Sequence, residues 1–144
     1  MAQKTILLVE DEAVIAMNEL SALRAEGYSA IHASSGLQAV EVVRSSPVPI
    51  DLILMDIDLG HGMDGTEAAR EILKEHSIPV VFLSSHTEKQ VVEKTKAITS
   101  YGYIYKNAGD VVLLASIDMA FKLYEAHRRI GESEKRYSDL FNSM

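Results

Sequence analysis

Five short apolar runs, each followed by a segment with helical spacing, set the tightest limit on what this chain can fold into. The runs fall at residues 5–10, 28–33, 51–56, 78–84 and 101–106. Helix-period segments fall at 12–25, 35–44, 64–76 and 87–98, with a fifth beginning after Gly109. Five strand–helix alternations predict an α/β fold, a mainly parallel sheet covered by helices on both faces. The runs "TILLVE", "DLILMD" and "IPVVFLS" are continuously apolar in their middles, as strands buried on both faces are. "YSAIHA" and "YGYIYK" are broken by polar residues, as edge strands often are. Strands one, three and four are therefore predicted central, and right-handed crossovers then favour the order 2-1-3-4-5.

Composition bounds the functional classes. Of the 144 residues, 47% are hydrophobic, enough for one full core. The net charge of −7 argues against a duplex nucleic-acid binder, which would carry a basic face. There is no cysteine, so disulfides and thiolate metal sites are excluded. The N-terminal "MAQKTILLVEDE" has too short an apolar run for a secretion signal, and no stretch approaches a membrane span. A cytoplasmic location is the expectation.

In sheets of this topology the functional crevice lies beyond the carboxyl ends of the strands. The first strand delivers Glu10 and Asp11 there, the third Asp56, the fourth Ser84 and Ser85, and the fifth Lys106. Each has an ordinary explanation. An aspartate at a strand end commonly caps a turn, "EDE" suits a helix N-terminus, serines cap helices, and a lysine on an edge strand is usually solvated. Their joint arrival at one edge favours function. Three close carboxylates raise one another's pKa values unless a cation shares them. Oxygen ligands without His or Cys favour a hard ion, Mg²⁺ above others, which commonly bridges to phosphate. The lysine and the hydroxyl are further donors for phosphate oxygens. A carboxylate is itself a competent phosphoryl acceptor, and Asp56, last on a central strand, is the best placed.

The motifs "ILLVEDE", "DLILMDIDL", "GMDGTEAAREI", "IPVVFLSS" and "YGYIYK", in this order and at these separations, resemble the receiver domain of two-component response regulators over roughly residues 4–128. The resemblance implies a flavodoxin-like (βα)5 fold. It implies that Asp56 accepts a phosphoryl group from a phosphohistidine on a histidine kinase or phosphotransfer domain. It implies that Glu10, Asp11, Asp56 and the backbone carbonyl of Asp58 hold Mg²⁺, Asp11 directly and Glu10 through water. Ser84 and Lys106 would bind phosphoryl oxygens. Tyr103 matches the switch aromatic, turning inward as Ser84 moves, with the change read on the face of the fourth helix, fifth strand and fifth helix. Such a domain is not expected to be an enzyme beyond its own phosphoryl transfer and autodephosphorylation.

The sequence also departs from the family pattern. Asn107 stands where proline usually follows the lysine, so the peptide between Lys106 and Asn107 is open to either reading. The loop "IDLGHGMDG" is one residue longer than usual, and Gly60 replaces a proline. Asp58 and His86 face the region where water would attack an aspartyl-phosphate, and they are expected to tune its lifetime. Equal dephosphorylation rates in wild type, Asp58→Asn and His86→Ala would exclude that role.

Two other readings use the same residues. "MDID" resembles the nucleophile motif of haloacid-dehalogenase-type phosphatases, but their acidic pair follows the lysine, whereas here Glu10 and Asp11 come first and no adjacent acid pair follows Lys106. A degenerate receiver acting only as an interaction module would fold without taking phosphate.

The fifth helix carries the stripe Leu113, Leu114, Ile117, Ala120, Phe121 and Tyr124, with Val112, Met119 and Leu123 forming a second. The second stripe is expected to be a homodimer contact, through the long helix itself or the face it shares with the fourth helix and fifth strand. After His127 the chain turns polar, and Gly131 is expected to break or cap the helix. "SEKRYSDLF" resembles the entry helix of PAS sensory domains. Residues 1–128 are thus read as a receiver domain and 129–144 as a helical linker opening a PAS-like segment. The parent is then a hybrid histidine kinase or a receiver–PAS protein.

Overall fold

The computed structural model describes residues 3–60, 62–85, 89–98 and 101–142, with the side chains of 89 and 132–142 left aside. The expected alternation is present. Strands β1 (Thr5–Val9), β2 (Ser29–Ala33), β3 (Leu52–Asp56), β4 (Val80–Ser84) and β5 (Tyr103–Tyr105) alternate with helices α1 (Ala13–Ala25), α2 (Gly36–Ser45), α3 (Gly65–Leu73), α4 (Lys89–Ile98) and α5 (Asp110–Asn142). All five strands pair in parallel in the order β2-β1-β3-β4-β5. This is the flavodoxin-like arrangement that the strand compositions predict. Every residue of β1, β3 and β4 is buried, while β2 is mostly half-buried and β5 runs from half-buried Tyr103 through buried Ile104 to exposed Tyr105, because an edge strand has one neighbour and incomplete cover.

Successive side chains on a strand point to opposite faces, and two cores result. Leu7, Val9, Ile53, Met55 and Phe82 pack with Ala39, Ala68, Ala69 and Ile72 from α2 and α3, and Val91 of α4 joins them. Ile6, Leu8, Leu54, Val81 and Leu83 pack on the other face with Ala16 and Leu23 of α1 and Leu113, Ile117 and Ala120 of α5. Burying a large aliphatic side chain contributes roughly 2 kcal/mol, so Leu113 and Ile117 suffice to pin α5 to the sheet.

Helix starts follow local chemistry. Ser35 caps α2 by accepting from the Gln38 N–H at 3.1 Å, and Asp64 caps α3 by accepting from the Glu67 N–H at 2.9 Å. The strands are shorter than their apolar runs. Pro79, for one, has no N–H to give a ladder, although its carbonyl still accepts from Ile53 N–H at 3.0 Å.

One expectation fails. Gly131 neither breaks nor caps α5, which runs through it to Asn142. A mid-helix glycine costs about 1 kcal/mol relative to alanine, too little to end a helix that no proline or αL cap terminates. No described helix is long and apolar enough to cross a membrane.

Candidate phosphoryl-acceptor site

The parallel register brings the site together. Asp56 ends β3 opposite Leu83 of β4, Ser84 follows opposite Tyr105 of β5, and Lys106 comes next along the chain. Glu10 continues β1 by donating its N–H to the Ala33 carbonyl at 3.0 Å. His32 Nε2 lies 2.7 Å from the Glu10 backbone oxygen, so β2 helps hold β1's end in place.

Glu10, Asp56 and Ser84 are all fully buried. Lys106 Nζ donates to Asp56 Oδ2 and to Glu10 Oε1, both at 2.9 Å. The Asp58 N–H donates to Asp56 Oδ1 at 2.9 Å. Each oxygen of Asp56 thus has a donor, and the carboxylate is fixed at the sheet edge. Behind it the first residue of α3 approaches closely. A Cβ on Gly65 would overlap the Asp56 carbonyl oxygen, so only glycine lets α3 begin against the end of β3.

One lysine faces more than one acid, and the acids show it. Burial, together with a hydrogen bond shared with Glu10 and that residue's charge, pushes the Asp56 carboxyl up to about 7 against the pull of Lys106. Burial alone would lower the Lys106 ammonium, but bonds to Asp56 and Glu10 hold it above the usual lysine value. Asp11 is exposed and accepts from the Gly60 N–H at 3.1 Å. Its slight burial works upward, yet that bond and one with Glu10 leave its carboxyl below the ordinary value. The donor to Asp11 is therefore a backbone N–H that a proline at position 60 would lack.

Carboxylate oxygens of Glu10, Asp11 and Asp56 all lie within 4.8 Å of one another. An all-oxygen cluster of this charge and spacing fits a hard divalent cation such as Mg²⁺.

The remaining expected residues sort as follows. The Asp58 side chain is exposed and accepts from Ser85 Oγ at 3.4 Å. Tyr103 is half-buried and packs on the core that contains Phe82. His86 lies outside the described residues. Lys106 opens a 3-10 turn, Lys106–Ala108, closed by Gly109 at φ 94°, and no cis peptide occurs among the described residues. The lysine loop therefore turns without proline.

One residue escapes the motif reading. Glu19 of α1 lines a small cavity with Leu83, Ile104, Lys106 and Asp110. Burial, then the nearby charge of Glu10, raises its carboxyl to about 7, and its Oε2 is buried without a hydrogen-bond partner among the described residues. Its only sequence signal is an acid at helical spacing from Ala16 and Leu23, on the otherwise apolar inner face of α1.

Comparison with known proteins agrees with this geometry. The family model described as "Response regulator receiver domain" matches residues 6–118. The chain is 32% identical over 103 residues to the sensor kinase CckA of Brucella abortus, covering 71% of this chain and 11% of that protein. It is 31% identical over 118 residues to the transcriptional regulatory protein PdtaR of Mycobacterium tuberculosis, covering 81% and 56%. Among solved structures, the N-terminal domain of a response regulator/sensory box/GGDEF three-domain protein from Carboxydothermus hydrogenoformans is 47% identical, with a TM-score of 0.78, covering 86% of this chain and 98% of that one.

Proposed function

The chain belongs to the response regulator receiver domain family, and from that premise we propose that it is a phosphorylation-dependent signalling switch whose acceptor is Asp56. The observation that carries the proposal is the buried Asp56 carboxylate, held by Lys106 and the Asp58 N–H within reach of two further acids.

In the proposed step an oxygen of Asp56 attacks the phosphorus of a phosphohistidine. A P–O bond forms, the P–N bond breaks, and the departing imidazole recovers a proton. Oδ1 and Oδ2 are already oriented by their donors, so little reorganisation precedes attack. Lys106 then pairs with a phosphoryl oxygen, and the Ser84 hydroxyl bonds another. Glu10, Asp11, Asp56 and the Asp58 carbonyl would hold Mg²⁺. When bound, that ion supplies positive charge against the three carboxylates and the incoming phosphoryl oxygens.

Tyr103 is proposed as the reporter, since it packs beside the β4 segment that ends in Ser84. Asp58 is proposed to tune the aspartyl-phosphate lifetime, because its exposed carboxylate stands two residues past the acceptor. The donor is proposed to be a histidine kinase or a histidine phosphotransfer domain. Residues 129–144 are proposed to lead into a PAS-type module of a longer signalling protein, a reading that rests on "RYSDLF" and is in keeping with the named three-domain relative. The long α5 is proposed to bring two copies together.

Acetyl phosphate and divalent magnesium should add one phosphoryl group per chain and then stop. Many turnovers of a generic phosphoester would instead mark a phosphatase, and no mass gain a degenerate receiver.

A further inference from the structure

Helix α5 spans 33 residues, Asp110–Asn142, or about 50 Å at 1.5 Å per residue. Its inner face is accounted for by Leu113, Ile117 and Ala120, all buried in the core. Tyr124 donates to the Ser77 carbonyl at 2.8 Å, and His127 Nδ1 meets the Tyr101 hydroxyl at 3.1 Å. A second face, roughly a third of a turn away, has no cover. Val112, Met119, Leu123 and Ile130 are 45%, 69%, 38% and 56% exposed.

The spacing of these four residues is not random. Steps of seven, four and seven place them on the a and d positions of a heptad with Leu123 and Ile130 at a and Val112 and Met119 at d. Ala126 fills the intervening d position. The same register passes through Gly131 without a slip, and Tyr137 and Leu140 fall on the next a and d. Only Ser116 and Ser133 interrupt it. A seam sustained over four heptads, starting inside the domain and continuing beyond it, is what a two-stranded coil requires.

The flanking charges choose the partner and its direction. The g positions carry Lys122, Arg129 and Arg136, and the e positions include His127 and Glu134. In an antiparallel pair g faces g, and three cations would oppose three cations. In a parallel pair g faces the e position five residues on in the other chain, which sets Arg129 against Glu134. Next to the domain the g position is the exposed Ala115, small enough for two domains to approach, while the e positions Leu113 and Ala120 stay in each domain's own core.

We propose that α5, from Val112 to Leu140, forms a parallel, in-register two-stranded coiled coil with a second copy of this chain. This gives a register and direction to the pairing proposed above, and it rests on that reading. A switch built on such a coil would be read out through the relative position of two helices leaving two domains side by side.

The chain's lack of cysteine makes the test direct. Leu123→Cys and Ile130→Cys should each link to themselves under mild oxidation, whereas Arg128→Cys, at an f position, should not. An antiparallel pair can centre on one of the two a positions but not both, so linkage at only one, or at neither, overturns the proposal. Sedimentation equilibrium of the 144-residue chain should give a dimer, reduced to monomer by the double variant Leu123→Glu/Ile130→Glu. A monomeric or trimeric wild type would also overturn it. Phosphoryl uptake from acetyl phosphate is measured on the same samples. Its loss in wild type would count against the acceptor proposal alone, and its retention in the monomeric variant separates the two.

Discussion

Replacing Lys106 by methionine is expected to lower the stability of the domain by about 3 kcal/mol at pH 8, the usual range for leaving buried charge without its partner. The reason is local. Lys106 Nζ sits 2.9 Å from both Asp56 Oδ2 and Glu10 Oε1, and both of those residues are fully buried. Methionine fills much the same volume, so packing changes little and the loss reports the charge. Without the ammonium, two carboxylates with no exposure face each other, and the cheapest remedy is uptake of a proton. The loss should therefore shrink as pH falls from 8 to 5. Urea unfolding at the two pH values measures it. Equal midpoints for wild type and Lys106→Met at pH 8 would mean that the pair contributes nothing.

Asp56→Asn should do the reverse. The folded chain holds the Asp56 carboxyl at about 7, against an ordinary value of 3.8, chiefly because it is buried and shares a hydrogen bond with Glu10. A group whose folded pKa is raised favours folding below its unfolded value, and that contribution is lost as pH rises through the folded one. At pH 8 the ionised Asp56 thus opposes folding, and asparagine relieves it. After discounting for solvent screening, the gain is expected to be about 2 kcal/mol. That corresponds to roughly 5–10 °C in melting temperature for a domain of this size. The gain should fall away at pH 5, where Asp56 is already protonated. It should also vanish in saturating Mg²⁺, because a bound cation stabilises the wild-type cluster. A variant that melts no higher than wild type at pH 8 without metal would contradict the strain assigned to this carboxylate.

These opposite effects describe one site: a cluster of acids with too little positive charge. A receiver must fold with that imbalance and still leave it available to a cation and a phosphoryl group. The destabilised carboxylate is a cost borne in the resting state, one that a bound cation is expected to offset.

Much of this was legible in the residues. "TILLVE", "DLILMD" and "IPVVFLS" identify strands covered on both faces, and the sheet order follows from them. A parallel sheet sends its carboxyl ends to one edge, so Glu10, Asp56, Ser84 and Lys106 could be placed together before any distance was known. What escaped were features with no periodicity. The pairing of Lys106 with Glu10 spans 96 positions, and nothing local announces it. Gly60 reads as a flexible substitute for proline, yet its N–H is a donor to Asp11. Gly65 reads as a helix start, but its missing side chain is what lets α3 meet the end of β3. Gly131 reads as a stop, and helix continuity overrides a weak propensity. Glu19 gave no motif at all, since its raised pKa arises from the cavity around it.

The central claim is that Asp56, and no other residue, takes the phosphoryl group. Wild type and Asp56→Asn should be treated with acetyl phosphate and Mg²⁺, trapped with borohydride, which reduces an aspartyl-phosphate, and mapped by peptide mass spectrometry. The account predicts one modified residue in wild type, Asp56, and none in the variant. Modification at another acid, or equal modification of both proteins, would contradict it.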